Sequence, residues 1–333
     1  MSATRKRGLV RLAVLVIVVG WLVVLIAKGL LSGSSNSKPK STQASPAGAP
    51  ARLKATRSAL RLSRPLHGAT AAPLAGGLLV IGGADRSDVS TDQVLLLDPG
   101  AHRVRPRGTL VAPAHDAAAV TIGGRTLVFG GGASTELDTV QRLVPAGRAA
   151  SVGRLPAPAS DLSAVVAGGS AYVAGGYDGQ APLDSVLRLE AGGRLSRVGT
   201  LPTAVRYSAT AAIGGRIYCF GGELADGSDT DEIQEYDPAT RRASVVGRLR
   251  QPVSHAAALV LHGAIYLLGG RRSDAASAQI LRFDPSRGRA VRAGWLPAAV
   301  FDAAAGVAGG VGYLAGGIGA AGTSVDAVFA IHA

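Results

Sequence analysis

The sequence is poor in cysteine and in aromatic residues. One cysteine, Cys219, occurs among 333 residues, and Phe, Trp and Tyr together make up 4%. A single cysteine cannot form a disulfide within the chain, so a small fold held together by disulfides is excluded. Because Cys219 lies in an apolar stretch, we expect it to be a buried core thiol.

Acidic residues are absent from the first 64 positions, which contain twelve of the 35 Lys and Arg residues. The remaining 23 basic residues face 22 acidic residues in 65–333, so most of the formal net charge of +13 lies near the amino terminus. With no basic face and no aromatic stacking motif, nucleic-acid binding is not expected.

Signatures of common enzyme sites are also missing. No nucleophile elbow, P-loop or dinucleotide fingerprint stands between a strand and a helix. The acidic run DGSDTDE (226–232) lacks the ligand spacing of a calcium loop, and a solvated hairpin loop is the simpler interpretation. We therefore predict no catalytic residue, no metal site and no cofactor.

What the sequence does contain is a repeat. Six short apolar runs end in paired glycines: LLVIGG, TLVFGG, AYVAGG, IYCFGG, IYLLGG and GYLAGG. The pairs end at Gly83, Gly131, Gly176, Gly222, Gly270 and Gly317, so they recur every 45–48 residues. A period of this length is typical of propeller blades.

Each period contains four short apolar runs separated by turn signals. The fourth period reads SATAAI (208–213), the run ending at Gly222, DEIQEYDP (231–238) and RRASVVG (241–247). Four such strands, A to D, make one antiparallel blade, and six periods predict an all-β, six-bladed propeller over 53–333.

The sixth period provides only three strands, because SVDAVFAIHA (324–333) is its strand C. RSALRL (57–62) occupies the strand D position ahead of blade one. We expect it to complete blade six, since an open ring would leave unpaired sheet edges.

On these glycine pairs, and on the aromatic strand C residues Tyr236 and Phe283, the chain resembles the kelch-repeat family. Leucine replaces that aromatic in the first three blades, at Leu97, Leu143 and Leu189. The resemblance covers 53–333 and implies that the D–A loops, which lead into strand A, open on the same face as the B–C loops, around a central channel.

The amino-terminal part is predicted to be a membrane anchor. The run 12–27 carries no charge, 12–31 is long enough to span a bilayer, and four basic residues precede it. We expect 1–11 to be a cytoplasmic basic tail, 12–31 an uncleaved transmembrane signal anchor, and 32–52 a flexible linker rich in Ser, Pro, Ala and Gly. The propeller would then lie outside the cytoplasm of a single-pass cell-membrane protein. A cleaved signal remains an alternative.

The repeat register identifies the residues expected on the channel face. Polar and aromatic groups that converge on a concavity are the default binding-site hypothesis, although loop residues of these types often only cap the backbone. Arg206 and Tyr207 are the strongest candidates for ligand contact. The alternative is that Arg206 is a structural residue bonded to a neighbouring blade. The D–A loops contribute His67, His115, Asp116, Asp161, Arg206, Tyr207, His255, Phe301 and Asp302, and the B–C loops contribute Tyr177, Asp178, Glu223, Arg271 and Arg272.

Two classes of function remain open at this point. The first is a non-catalytic scaffold that binds an unknown protein or glycan, which the kelch resemblance implies. The second is a carbohydrate-active enzyme similar to the six-bladed sialic acid mutarotases, in which Asp and His residues of the face would supply the acid and base.

Overall fold

The computed structural model describes residues 52–333, which form a six-bladed β-propeller. Each blade is a four-stranded antiparallel sheet, and the described residues contain no helix. The predicted tail (1–11) and anchor (12–31), and the predicted linker (32–52) except its last residue, lie outside the described residues. No helix among residues 52–333 is long and apolar enough to cross a membrane.

The strands follow the predicted A-to-D order. The first is β1 (Lys54–Arg61), and blades one to three contain β2 (Thr70–Leu74), β3 (Gly77–Ile81), β4 (Gln93–Asp98), β5 (Arg103–Thr109), β6 (Ala118–Ile122), β7 (Arg125–Phe129), β8 (Thr139–Arg142), β9 (Ala150–Arg154), β10 (Ser163–Ala167), β11 (Ser170–Ala174), β12 (Ser185–Leu189) and β13 (Leu195–Thr200). Blades four and five, with a β20–β21 hairpin in a B–C loop, contain β14 (Ala209–Ile213), β15 (Arg216–Phe220), β16 (Glu232–Asp237), β17 (Arg242–Arg248), β18 (Ala257–Leu261), β19 (Ala264–Leu268), β20 (Arg271–Arg272), β21 (Ala275–Ala276), β22 (Gln279–Asp284) and β23 (Arg289–Trp295). Blade six and its short β24–β27 pair contain β24 (Val300–Phe301), β25 (Ala304–Ala308), β26 (Val311–Ala315), β27 (Ile318–Gly319) and β28 (Ala327–His332).

The paired glycines end strand B because the next blade leaves no room for a side chain. Gly82 and Gly83 both have positive φ, which L side chains rarely adopt. A Cβ on Gly82 would lie 2.2 Å from the carbonyl oxygen of Ala114, on the D–A loop of the following blade. The glycine period therefore marks the contact between consecutive blades.

The core lies between the faces of adjacent blades. Strand B is its most buried element: every residue of β3 and β19 is buried. Tyr218, Phe220 and Phe283 form an aromatic cluster between blades four and five. Cys219 is buried on β15 and unpaired, as predicted, and burial raises its pKa to about 11.

The ring closes through the first strand. β1 pairs antiparallel with β28, so the sixth sheet has the order β1-β28-β26-β25. This confirms the sequence prediction for 57–62. The inner strands contact one another in a closed circuit, with β25 of blade six against β2 of blade one.

Leucine at the strand C position leaves space that an aromatic ring fills elsewhere. In blade four the hydroxyl of the buried Tyr236 donates a hydrogen bond to the carbonyl oxygen of Val198 in blade three (2.9 Å). In blades two and three, Leu143 and Leu189 line inter-blade cavities of about 350 and 500 Å³. The two cavities thus follow from the departures from the repeat pattern.

Candidate functional site

The six D–A loops place one residue each at the channel mouth, in the same backbone conformation. All six have φ between 50° and 58°: Gly68, Asp116, Asp161, Tyr207, His255 and Asp302. Positive φ is uncommon for residues other than glycine and costs about 1–3 kcal/mol each. Such strain repeated at one level of the fold is a feature of functional sites.

Backbone hydrogen bonds between blades hold this level together. The amide of Asp116 donates to the carbonyl of Gly68 (2.7 Å), and the amide of Gly68 donates to Asp302 (3.1 Å). On the other side, His255 donates to Tyr207 (3.0 Å) and Asp302 donates to His255 (2.9 Å). The side chains therefore project from a rigid ring around the channel.

Two of the carboxyl groups form a pair. Asp116 and Asp302 hydrogen-bond to each other through their side chains. Burial is the main cause that raises the pKa of both groups, and the charges of Asp302 and Asp161 raise that of Asp116 further. Two adjacent carboxyls in such surroundings share one proton.

Gly68 makes room for this pair. A Cβ at Gly68 would lie 2.7 Å from Oδ1 of Asp116, so a larger residue in blade one would push against the carboxylate. The glycine in the D–A loop of blade one thus leaves free the space that the carboxyl group in the D–A loop of blade two occupies.

Asp161 is the third carboxyl of the mouth. Its side chain is 4% exposed, and Oδ2 accepts no hydrogen bond. The nearest cation is Nη1 of Arg206, 3.6 Å from that oxygen. Burial raises the pKa of Asp161 to about 6, against the opposing effects of a hydrogen bond with Ser160 and the charge of Arg206.

Two arginines are held by Glu223 on the B–C loop of blade four. Nε and Nη2 of Arg206 both donate to Oε1 of Glu223, the former at 2.9 Å. Nη2 of Arg271 donates to Oε2 (2.6 Å) and lies 3.5 Å from Asp229. This network links blades four and five, and Arg206 extends it to Asp161 of blade three.

The aromatic groups of the mouth pack on one another. The rings of Tyr207 and His255 stack with centroids 3.7 Å apart, and Phe301 meets His255 edge-on at 5.9 Å. The guanidinium of Arg206 lies 4.6 Å from the ring centroid of Tyr177 and 5.1 Å from that of Tyr207. Burial, with the charges of Arg271 and Arg206, lowers the pKa of His255 to about 3, so the imidazole is neutral at physiological pH.

The two remaining histidine candidates, His67 and His115, are hydrogen-bonded to serines on B–C loops. Nδ1 of His67 is hydrogen-bonded to Oγ of Ser324, and Nδ1 of His115 to Oγ of Ser90, each at 2.8 Å. Nε2 of His115 lies 3.9 Å from Asp116. Burial lowers the pKa of His115.

Of the fourteen sequence candidates, five line the cavity of the mouth: Asp116, Asp161, Tyr207, His255 and Asp302. Two others, Asp178 and Arg272, bond to loop backbone. Oδ1 of Asp178 accepts hydrogen bonds from the amides of Gln180 and Ala181, which lowers the pKa of its carboxyl and makes it a cap of its own loop. Arg272 reaches the carbonyl oxygen of Gln251 (3.5 Å), and burial lowers its pKa.

The mouth opens into a cavity of about 180 Å³. Below the charged ring its wall is made of small residues from the inner strands, chiefly alanines such as Ala71, Ala118, Ala257 and Ala304. Among residues 52–333, no group of His, Cys, Asp and Glu side chains has the arrangement needed to hold a metal ion. The site is therefore a narrow, acidic mouth over a wall of alanines and hydroxyl side chains, the latter from Thr70, Ser163, Ser208 and Thr210.

Sequence reasoning missed several partners at this face: Ser90, Ser324, Asp88, Glu136 and Asp229. Asp229 lies within DGSDTDE, which had been interpreted as a solvated loop, yet it contacts Arg271. Its position between a glycine pair and strand C was the available signal.

Comparison with known proteins supports the fold. The chain is similar to a solved structure titled "Structure of YjhT", with a TM-score of 0.71, 16% sequence identity, and coverage of 81% of this chain and 96% of that one. No protein-family profile matches the chain. No curated protein matches its sequence either.

Proposed function

We propose that this protein is a membrane-anchored, extracytoplasmic propeller of the kelch-repeat type that binds a glycan at the channel mouth without catalysing a reaction. The observation that carries the proposal is the cavity at the channel mouth, which is lined by the carboxyl groups of Asp116, Asp161 and Asp302. Carboxylate oxygens accept hydrogen bonds from sugar hydroxyls, and a few convergent polar groups in a concave site are typical of small-ligand binding.

The size of the site favours a small ligand over a protein surface. A cavity of about 180 Å³ admits one sugar unit, whereas a stable protein interface needs a broad, shape-matched patch. A glycan chain could insert its terminal unit and leave the remainder on the B–C loops.

A glycan array tests this function. The full chain in detergent micelles, labelled on a lysine, should bind a defined set of glycans, and Asp161→Asn with Asp302→Asn should lose them. Asp184→Asn is the matched control, because this carboxylate, directly before β12, pairs with Arg197 of the outer strand β13. Binding that is unchanged in the double variant would contradict the proposal.

The membrane topology needs its own experiment. Protease added to intact cells should remove the propeller, because four basic residues precede the uncharged run 12–27. A propeller that is protected until the membrane is broken would reverse the orientation. A mature chain that begins after residue 31 would replace the anchor by a cleaved signal.

A sugar mutarotase is the second candidate, and the Asp116–Asp302 pair favours it. One proton shared by two buried carboxyls provides an acid and a base at the same place. The carboxylate would take the proton of the anomeric hydroxyl while the carboxylic acid protonates the ring oxygen. The bond from the anomeric carbon to the ring oxygen breaks, a carbonyl forms, and closure on the other face returns both protons.

Polarimetry separates the two candidates. A freshly dissolved single anomer should equilibrate faster with wild type than with buffer if the protein is a mutarotase, and Asp116→Asn should remove the acceleration. Glycan binding with no acceleration of mutarotation by wild type supports the non-catalytic function.

A further inference from the structure

An apolar cavity of about 500 Å³ lies between blades two and three. It is bordered by the A–B turn of blade two, at Gly123, and by the C–D loop of blade three, at Gly192 and Gly193. In an antiparallel blade these two connections lie at the opposite end from the D–A and B–C loops. The cavity is therefore separate from the channel mouth, and a ligand in it would not compete with one bound there.

The walls of this cavity are aliphatic, and its space follows from a departure from the repeat. Leu189 occupies the position that the buried Tyr236 has in blade four. The other apolar side chains come from blade two: Ile122, Leu127, Val140 and Val152. A volume of about 300–1,000 Å³ and a mostly hydrophobic lining with few polar groups are typical of small-molecule sites.

Two arginines lie on the face of blade two that borders the cavity. Arg125 is paired with Ile122 between β6 and β7, and Arg142 is paired with Leu127 between β7 and β8. Residues directly opposite each other, and residues two apart on one strand, project to the same side of a sheet. Both arginines therefore project to the side of Leu127. Because they are exposed and also line the cavity, their guanidinium groups lie at its rim.

Among residues 52–333, neither Arg125 nor Arg142 has an acidic partner. Blade four shows a paired arrangement at the same repeat positions, where Arg216 forms an ion pair with Glu235. In blade two an arginine replaces that glutamate, so two like charges lie on neighbouring strands and repel each other. An anion bound between them would offset this repulsion.

Of the described residues that line the cavity, Glu190 is the only acidic one, and it is already bonded within blade three. It accepts hydrogen bonds from Nε (3.1 Å) and Nη2 (2.9 Å) of Arg188 and from Oγ of Ser196 (2.8 Å). Glu190 is therefore committed to those partners. The two arginines of blade two keep a net positive charge at the rim.

We propose that this cavity binds an amphipathic anion of the fatty-acid type, a carboxylate on an unbranched alkyl chain. The carboxylate lies between the guanidinium groups of Arg125 and Arg142, and the chain lies against the aliphatic wall. A planar guanidinium donates paired hydrogen bonds to a carboxylate, and each methylene that leaves water for an apolar wall adds to the affinity. This second site goes beyond the proposed glycan binding and does not depend on it.

Isothermal titration calorimetry of the full chain in detergent micelles tests the class of ligand. The probes are octanoate, hexanoate and octylammonium at neutral pH, and the heats of the same titrations into protein-free micelles are subtracted. Octanoate should bind about tenfold more tightly than hexanoate, because the shorter chain buries two fewer methylenes. Octylammonium has the chain length of octanoate and the opposite charge, so it should not bind.

Two variants reproduce the arrangement of blade four and should close the site. Arg142→Glu should form an ion pair with Arg125, and Leu189→Tyr should fill the cavity with a ring while leaving the charges of the rim unchanged. Each should weaken octanoate binding at least about tenfold. Arg242→Gln is the matched control, because this exposed arginine of β17 does not line the cavity. It should leave the affinity unchanged.

Circular dichroism and thermal melting show whether each variant is folded, and Arg142→Gln takes the place of Arg142→Glu if the latter does not fold. Weaker octanoate binding in the folded variants, with the control unaffected, supports the proposal. Unchanged octanoate affinity in a folded Arg142 variant or in folded Leu189→Tyr would overturn it. Hexanoate or octylammonium binding as tightly as octanoate, or no binding of octanoate to wild type, would overturn it as well.

Discussion

The side chains of Asp116 and Asp302 share a hydrogen bond although 186 residues separate them in the chain and they belong to blades two and six. Blade one lies between them and contributes Gly68, which has no side chain to keep them apart. The pair therefore depends on ring closure as well as on the two residues themselves.

Asp161→Asn should stabilise the propeller at neutral pH. Its folded pKa of about 6 lies above the usual 3.8, so the native state binds more protons between these values and stability falls as pH rises through them. The neutral variant escapes this cost. Its gain in free energy of unfolding should be near zero at pH 4 and reach about 3 kcal/mol at pH 7.

Denaturant unfolding of both proteins at matched pH values measures this difference. The two proteins must be compared at the same pH each time, because the lowered pKa of His255 makes the stability of both rise with pH over part of the range. A gain for Asp161→Asn that is the same at pH 4 and pH 7 would contradict the assigned pKa.

Gly68→Ala should destabilise the fold more than a glycine substitution with positive φ alone. Its Cβ would lie 2.7 Å from Asp116, whereas Gly76, also at positive φ, has nothing within 4 Å of such an atom. We expect losses of about 2–3 kcal/mol for Gly68→Ala and about 1 kcal/mol for Gly76→Ala.

A double-mutant cycle isolates the contact with Asp116. In an Asp116→Ala background, Gly68→Ala should cost no more than Gly76→Ala does in wild type. Additive losses would show that Gly68 is required for its backbone conformation alone.

Arg206→Ala should lower the melting temperature, because the guanidinium joins Glu223, Asp161 and the ring of Tyr177. Glu223 keeps Arg271 as a partner, so the loss should be about 2 kcal/mol, below that for a fully stranded buried charge. Arg248→Ala, which breaks exposed ion pairs with Asp231 and Glu232, should lower the melting temperature much less, because solvent screens these pairs.

Ligand binding by the double variant Arg206→Ala, Tyr207→Ala tests the interpretation made from the sequence. Unchanged thermal stability with binding weakened by about 1–2 kcal/mol would mark a binding hot spot. A lower melting temperature with unchanged binding by the folded fraction would mark a structural arginine, and the ion-pair network favours this second result.

Leu143→Phe should fill part of the cavity between blades one and two. The cavity of about 350 Å³ corresponds to the space that the buried ring of Tyr236 fills between blades three and four. Burying the larger side chain of phenylalanine there should raise the free energy of unfolding by about 1 kcal/mol. Leu97→Phe is the matched control at the same repeat position. Leu97 is fully buried, so overpacking there should cost about 1–3 kcal/mol. A stabilised Leu97→Phe protein would refute this account of the cavities.

The repeat period predicted the blades, the closing strand and the loop positions, because each depends on spacing along the chain. The register even identified five of the six mouth positions that share positive φ, all except Gly68, although nothing in a single sequence showed that Tyr207 or Asp116 would adopt it. Contacts between loops were not predictable, since the pairing of Arg271 with Asp229, or of His67 with Ser324, depends on side-chain geometry across blades. Leu143 and Leu189 indicated that space would be left between blades, because leucine is smaller than the aromatic residue of the repeat. The sequence did not show whether neighbouring segments of the same chain would pack into that space.

The pairing of β1 with β28 also sets an order of events during synthesis. The strand synthesised first among the described residues has no partner until the last strand is synthesised. A ribosome-bound chain therefore has no closed ring until residues 327–332 emerge. Until then β1 has no strand to pair with, and its backbone edges stay open. A chain that stalls in blade six is therefore the form that chaperones and proteases would recognise, and a nick at the 52–61 segment would return the finished protein to the same vulnerable state.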